Sequence, residues 1–137
     1  MKIFPEKIFY GISAVFELAK NNNKKLVQIR EISESQNIPH NYLEKLLLDL
    51  KKAGIVESIR GSQGGYKLQK SPNEIKVLDV IIALEGNIQV SRNTESANVM
   101  NFYWKGIEKK IEKLFYVTFE DLLIQEMNLK EKMFFQI

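Results

Sequence analysis

Leu43, Leu46, Leu47 and Leu50 lie three, four and seven residues apart along the chain, the spacing that gathers apolar side chains onto one face of a helix. Asn41, Lys45, Leu48 and Lys52 fall on the opposite face, so this helix is expected to bury one side and offer the other. Gly54 supplies its stop, because glycine readily takes the left-handed conformation that ends helices. Beyond it, Glu57 to Arg60 and Tyr66 to Leu68 read as two short strands around Gly61-Ser62-Gln63-Gly64-Gly65, a hairpin whose glycines allow a tight tip.

Ile8, Gly11, Ile12, Val15 and Ala19 predict an earlier helix over residues 5–20, opened by Pro5 and closed by the polar run 21–25. Leu26 to Ile29 reads as a short extended entry, and Arg30 to Gln36 as a short helix that stops near Asn37-Ile38-Pro39 and turns into the leucine helix. After Ser71-Pro72-Asn73, Val77 to Leu84 predicts a fourth helix ending at Glu85-Gly86, with a polar loop over 87–98. Trp104, Ile107, Ile111, Leu114 and Thr118 then alternate steps of three and four, the spacing of a helix that lies along another helix. That stripe fits either a seam between subunits or burial against the first helix. Phe119 to Met127 reads as a last helix before the tail Lys132–Ile137.

Composition narrows what such a chain can do. With 137 residues and 45% hydrophobic content, it holds one ordinary domain or a small domain with a dimerisation extension. No apolar run of membrane-spanning length occurs, and the start leads into an amphipathic segment instead of a signal peptide; a soluble cytoplasmic protein without a membrane partner is expected. Zero cysteines exclude disulfides, thiolate zinc sites, cysteine-held iron–sulfur clusters and a cysteine nucleophile. With a single histidine and carboxylates scattered on polar helix faces, no nucleophile–base pair can be nominated, so the chain does not read as an enzyme.

The net charge of +3 is uneven: residues 1–75 carry 12 Lys/Arg against 8 Asp/Glu, and residues 76–137 carry 8 against 9. A basic first half suits phosphate neutralisation, although a solvated surface has the same composition. Helix, glycine stop, strand and glycine-rich tip in that order are the grammar of a winged helix-turn-helix. The helix is a rod of the width a major groove admits, and Arg60 at the hairpin tip can reach an adjacent minor groove. Double-stranded DNA is therefore the expected partner.

The residues Tyr42-Leu-Glu-Lys-Leu-Leu, Lys52-Ala-Gly-Ile-Val, Arg60-Gly, Gly64-Gly-Tyr66, Asp79-Val80, Leu84-Glu-Gly86, Trp104 and Thr118-Phe-Glu-Asp-Leu122 together resemble the Rrf-two family of bacterial winged-helix regulators, and the match covers essentially the whole chain. The resemblance implies a mainly α fold with a small β-hairpin wing. Its winged helix-turn-helix DNA-binding domain is expected over 1–86, the polar loop over 87–98, and a long dimerisation helix with a C-terminal helix and tail over 99–137. It further implies a homodimeric repressor whose two recognition helices enter successive major grooves of a palindromic operator, each wing in a flanking minor groove.

By position, Asn41, Tyr42, Glu44 and Lys45 match the family's groove-reading residues and Arg60 its wing arginine. Lys45 can donate to guanine, Asn41 can serve adenine or phosphate, and Glu44 can accept from cytosine; the same Glu44 and Lys45 also suit a plain solvated face. Tyr42 reads either as a contact or as a packing residue with its hydroxyl at a phosphate, and Leu48 either as a thymine-methyl contact or as an exposed leucine. His40 reads as an exposed residue near phosphate, since no second ligand accompanies it. The expected DNA site is His40, Asn41, Tyr42, Glu44, Lys45, Lys52, Arg60, Gly61, Ser62, Gln63, Gly64 and Gly65; the expected seam is Trp104, Ile107, Ile111 and Leu114.

Cluster-binding members of the family place three cysteines between the Leu-Glu-Gly motif and the tryptophan, where this chain has Asn93, Asn98 and Asn101. No cofactor is therefore expected, and the chain resembles the cluster-free branch that includes a cysteine-metabolism repressor, whose tail Met133-Phe-Phe-Gln-Ile137 resembles. In that branch regulation can run through a partner enzyme, cysteine synthase. The alternative function is a winged-helix protein-interaction module controlled through such an enzyme; an acidic residue in place of Lys45 or Arg60 would have favoured it.

Overall fold

The computed structural model describes residues 1–90 and 97–135. Along the chain run α1 (Glu6–Lys20), α2 (Ile29–Gln36), α3 (His40–Lys52), β1 (Val56–Ile59), β2 (Gly65–Leu68), a 3-10 turn (Pro72–Glu74), α4 (Val77–Glu85), α5 (Val99–Leu114) and α6 (Phe119–Phe134). The leucine stripe of α3 is buried as its spacing requires: Leu43, Leu46, Leu47 and Leu50 all lie in the core. They join Ile8, Val15 and Leu18 of α1, Ile32 of α2, and Val80 and Ile81 of α4 in one apolar cluster.

Local bonds fix the turns around α3. Asn37 closes α2 with φ +54°, a conformation asparagine tolerates better than most residues, and Ser33 Oγ donates to the Ile38 carbonyl at 2.6 Å. At the other end Gly54 takes φ +78°. Its N–H donates to the Lys51 carbonyl and the Ile55 N–H to the Leu50 carbonyl, each at 3.0 Å, the paired bonds of a Schellman stop.

The two strands of the wing are antiparallel, registered from Val56↔Leu68 to Ile59↔Gly65. Both start one residue earlier than the sequence suggested, and Arg60 stands in the connection instead of on the strand. The buried pair Val56 and Leu68 sets that register, because a one-residue slip would turn both out of the core. Val27 adds a short third edge: its N–H donates to the Tyr66 carbonyl at 2.9 Å and its carbonyl accepts from the Tyr66 N–H at 2.7 Å.

The C-terminal elements differ most from expectation. The stripe from Trp104 to Thr118 does not lie on one helix: α5 ends at Leu114, and Thr118 is the N-cap of α6. There Thr118 Oγ1 accepts from the Asp121 N–H at 3.1 Å while Asp121 Oδ2 accepts from the Thr118 N–H at 3.0 Å, a reciprocal capping box that favours a helix start over continuation. The intervening 115–117 segment is tied to α4. Phe115 and Val117 carbonyls accept from the Leu78 and Val77 N–H groups at 2.9 and 2.8 Å.

α6 continues past Met127 to Phe134, so the first residues of the expected tail are helical. Leu, Lys, Glu and Met are strong helix formers, and the Glu126–Lys130 pair at 3.0 Å supports the extension. Phe119 at the head of α6 is fully buried in the same core as α1 and α3, whereas α5 has no buried residue. Among the described residues no helix is long and apolar enough to cross a membrane. Asn93 and the last tail residues Gln136 and Ile137 lie outside the described residues.

Candidate nucleic-acid interface

With its leucines turned inward, α3 presents His40, Asn41, Tyr42, Glu44, Lys45, Leu48 and Lys52 on one exposed side. Burial on one face and polarity on the other follow from the same helical period, so the exposed set is a consequence of the core. Lys45, Lys52 and Arg60 make no ion pair among the described residues. His40 Nδ1 lies 3.8 Å from Glu44 Oε1, a loose approach within the first turn.

Tyr42 has a second attachment. Its ring meets that of Tyr10 on α1 edge-on, with centroids 5.6 Å apart, a favourable geometry for aromatic pairs. Tyr42 nonetheless remains 41% exposed, so packing and solvent exposure coexist at this residue. Leu48 is half exposed, an apolar group on an otherwise polar face.

The wing tip is held by sterics. A Cβ at Gly64 would stand 2.0 Å from the Ile59 carbonyl oxygen, so the strand exit and the tip approach too closely for any side chain there. The Gly64 N–H donates to the Gly61 carbonyl at 3.0 Å, and Arg60, Gly61, Ser62 and Gln63 are exposed at the turn. Helix α3 and the wing are also tied together. Lys51 Nζ donates to Ser58 Oγ at 2.8 Å, and Lys67 pairs with Glu57 across the strands at 3.1 Å. Sequence reasoning did not single out Lys51, Ser58 or Tyr10; the i-to-i+7 spacing of Lys51 and Ser58 crosses a turn whose geometry only the fold reveals.

Behind the interface, Glu17 of α1 receives Gln36 Nε2 of α2 at 2.9 Å and Lys20 Nζ at 3.1 Å. Burial raises the affinity of this carboxyl for a proton, but the hydrogen bonds from Gln36 and Lys20 outweigh it and hold the group below the usual carboxylate range. The pair braces α2 against α1. At α2's other end, Lys25 and the Gln28 N–H both bond to Glu31 and lower its carboxyl in the same direction.

Of the expected seam, Trp104 and Leu114 are exposed and Ile107 and Ile111 are half-buried. Among the described residues no group of three or more His, Asp or Glu is arranged to hold a metal ion. The Asn98 side chain accepts from the Asn101 N–H at 2.9 Å and caps α5. With no cysteine in the chain, the donor set does not fit an iron–sulfur cluster held by thiolates.

Residues 4–125 match the family model Rrf2, described as an iron-dependent transcriptional regulator. The HTH-type transcriptional regulator CymR of Bacillus subtilis is 37% identical over 117 residues, spanning 82% of this chain and 83% of CymR. Among solved structures, IscR of T. potens superposes with a TM-score of 0.80 at 36% identity, covering 92% of this chain and 88% of IscR. The structure of CymR, the global cysteine regulator of B. subtilis, gives a TM-score of 0.80 at 33% identity over 89% of this chain and 96% of CymR. A mostly helical body, a two-stranded wing beside an exposed helix face and a family match over nearly the whole chain agree: this chain belongs to the Rrf2 family of winged-helix transcriptional regulators.

Proposed function

We propose that this regulator is a homodimeric repressor that reads a palindromic operator in double-stranded DNA, without an iron–sulfur cluster. The observation that carries the reading is the exposed side of α3 together with the wing tip, where Lys45, Lys52 and Arg60 make no ion pair among the described residues. An α-helix fits the major groove, where Lys45 reads guanine, Asn41 reads adenine or holds phosphate, and Glu44 accepts from cytosine. Lys52 and the hydroxyl of Tyr42 serve phosphates. Arg60, on a tip whose glycines let the backbone come close, enters the flanking minor groove.

Two half-sites a helical turn or more apart require two recognition helices at fixed separation. The unburied helix α5 supports a second copy in that role. The chemistry of the donor set supports a colourless protein: asparagine amides cannot replace thiolates on iron. Such a repressor works on the chromosome, in the cytoplasm.

The test is selection of bound fragments from host genomic DNA followed by affinity measurements over a salt series. A palindromic site and a steep fall of log affinity with log salt, about 0.9 per phosphate neutralised, are expected, and binding should survive iron chelation. A slope near zero overturns DNA as the ligand. A stoichiometric iron–sulfur chromophore after anaerobic reconstitution overturns the cluster-free reading.

A further inference from the structure

Ala19 at the end of α1, Pro72 of the 3-10 turn, and Leu123 and Met127 of α6 supply the apolar lining of a cleft of about 440 Å³, within the roughly 300–1,000 Å³ that small-molecule sites occupy. None of the four belongs to the exposed side of α3, the wing or the stripe on α5. Lys20, Lys24 and Lys130 line the same cleft, together with Glu126 and Asn22. Two of these lysines are already balanced: Lys20 Nζ lies 3.1 Å from Glu17 Oε2 and Lys130 Nζ lies 3.0 Å from Glu126 Oε1. Lys24 makes no ion pair among the described residues. The cleft therefore has charge complementarity for one further negative group and no more.

The end of α1 gives a cation little to bind. Asn21 Nδ2 donates to the Glu17 carbonyl at 2.9 Å, and the Asn21 and Asn22 N–H groups donate to the Leu18 and Ala19 carbonyls, each at 3.2 Å, so the last carbonyls of the helix are taken. The backbone that carries Lys24 is fixed as well. Asn23 turns it with φ +62°, and the Lys24 N–H donates to the Asn21 carbonyl at 3.0 Å. An arriving anion thus meets a turn that is ordered beforehand, which lowers the cost of binding. On the far wall Met127 is 69% exposed, and its flexible thioether adapts to apolar surfaces of varied shape.

We propose that this cleft binds a small organic monocarboxylate, its apolar body against Ala19, Pro72, Leu123 and Met127 and its carboxylate on the Lys24 ammonium. A dicarboxylate would set its second charge against Glu126 or on apolar surface, and a neutral ligand would leave Lys24 unmet. Resting on the operator reading above, the ligand is an effector of DNA binding. The cleft joins α1, whose Tyr10 meets Tyr42 of α3, to α6, which starts where the 115–118 joint from α5 ends. Its occupancy bears on both the DNA-facing helix and the unburied one.

Octanoate is the probe, with octanol and octylammonium as its neutral and cationic counterparts. Calorimetric titration of the full chain, free of DNA, should show one saturable octanoate site per chain, octanol about tenfold weaker and octylammonium unbound. Lys24→Gln should weaken octanoate about tenfold, the loss of one charge-assisted hydrogen bond, and leave octanol where it was. Met127→Asp should weaken both. The two residues are exposed, so each variant should keep its helical circular dichroism. No saturable octanoate binding, or binding that neither variant alters, overturns the site; octanol as tight as octanoate overturns the assignment of Lys24 to a carboxylate. Saturating octanoate should also change operator affinity, and an unchanged affinity with the cleft filled overturns the effector role alone. A protein that binds octanoate as described but selects no DNA overturns the operator reading and leaves the site standing.

Discussion

Lys45 and Arg60 are both cations without an ion pair among the described residues, but they sit on different parts of the fold and their loss should read differently. Lys45→Ala is expected to weaken operator binding by about 1–3 kcal/mol and to relax preference at one base position; equal losses on operator and random DNA would assign the lysine to phosphate. Arg60→Ala should reduce affinity most on operators with A·T-rich flanks, whose narrow minor groove attracts a guanidinium. Unchanged flank preference in a competition series would remove Arg60 from that groove. Glu17 makes a prediction in stability instead of binding. Because its carboxyl is held below the usual range when folded, its contribution is present above the unfolded carboxylate pKa and is lost as pH falls through the folded value. Glu17→Gln should therefore flatten the acid limb of a stability–pH curve, measured by urea denaturation between neutral and acidic pH, and an unaltered limb would show that the α1–α2 brace carries no linkage.

At the scale of elements, α6 does two jobs that its sequence does not separate. Its first turn inserts Phe119, fully buried, into the core formed by α1, α3 and α4, and its last turns carry exposed Met127, Leu129, Met133 and Phe134. Phe119→Ala should cost about 3–5 kcal/mol of unfolding free energy, seen as a lower urea midpoint; a loss below about 1 kcal/mol would mean that α6 docks on a core already complete without it. The leucine helix, its glycine stop and the glycine-rich tip were legible because each rests on local rules: helical period, positive φ, steric crowding. The end of α5 was not. Thr118 keeps the helical phase of Trp104 and Ile111, and no glycine or proline stands between Ile107 and Thr118; what breaks it is a capping box and main-chain bonds to a distant element, which no spacing announces. The candidate DNA residues were nameable for a related reason, since whatever α3 does not bury it must expose. The ties of Tyr42 to Tyr10 and Lys51 to Ser58 needed three-dimensional neighbours.

Across the whole molecule, the basic first half carries the exposed helix face and the wing, and the near-neutral second half carries the unburied helix. Between them stands the joint at 115–118, where the Val77 and Leu78 amides bond to the Val117 and Phe115 carbonyls and the Phe119 amide to the Ile75 carbonyl at 3.0 Å. These are amide-to-carbonyl links, which every residue except proline can make. These main-chain links do not depend on side-chain identity, so they survive changes of sequence within 115–117, whereas the Thr118–Asp121 capping box beside them holds only with its own side chains. Proline is the one informative replacement. Val77 opens α4, a position where proline suits the helix, so Val77→Pro should spare α4 while removing the donor to Val117. The expected result is a folded protein, by circular dichroism, that still dimerises but binds a two-half-site operator more weakly than a single half-site would lead one to calculate. Full affinity for the spaced operator would show that α5 is aimed by something other than its main-chain joint.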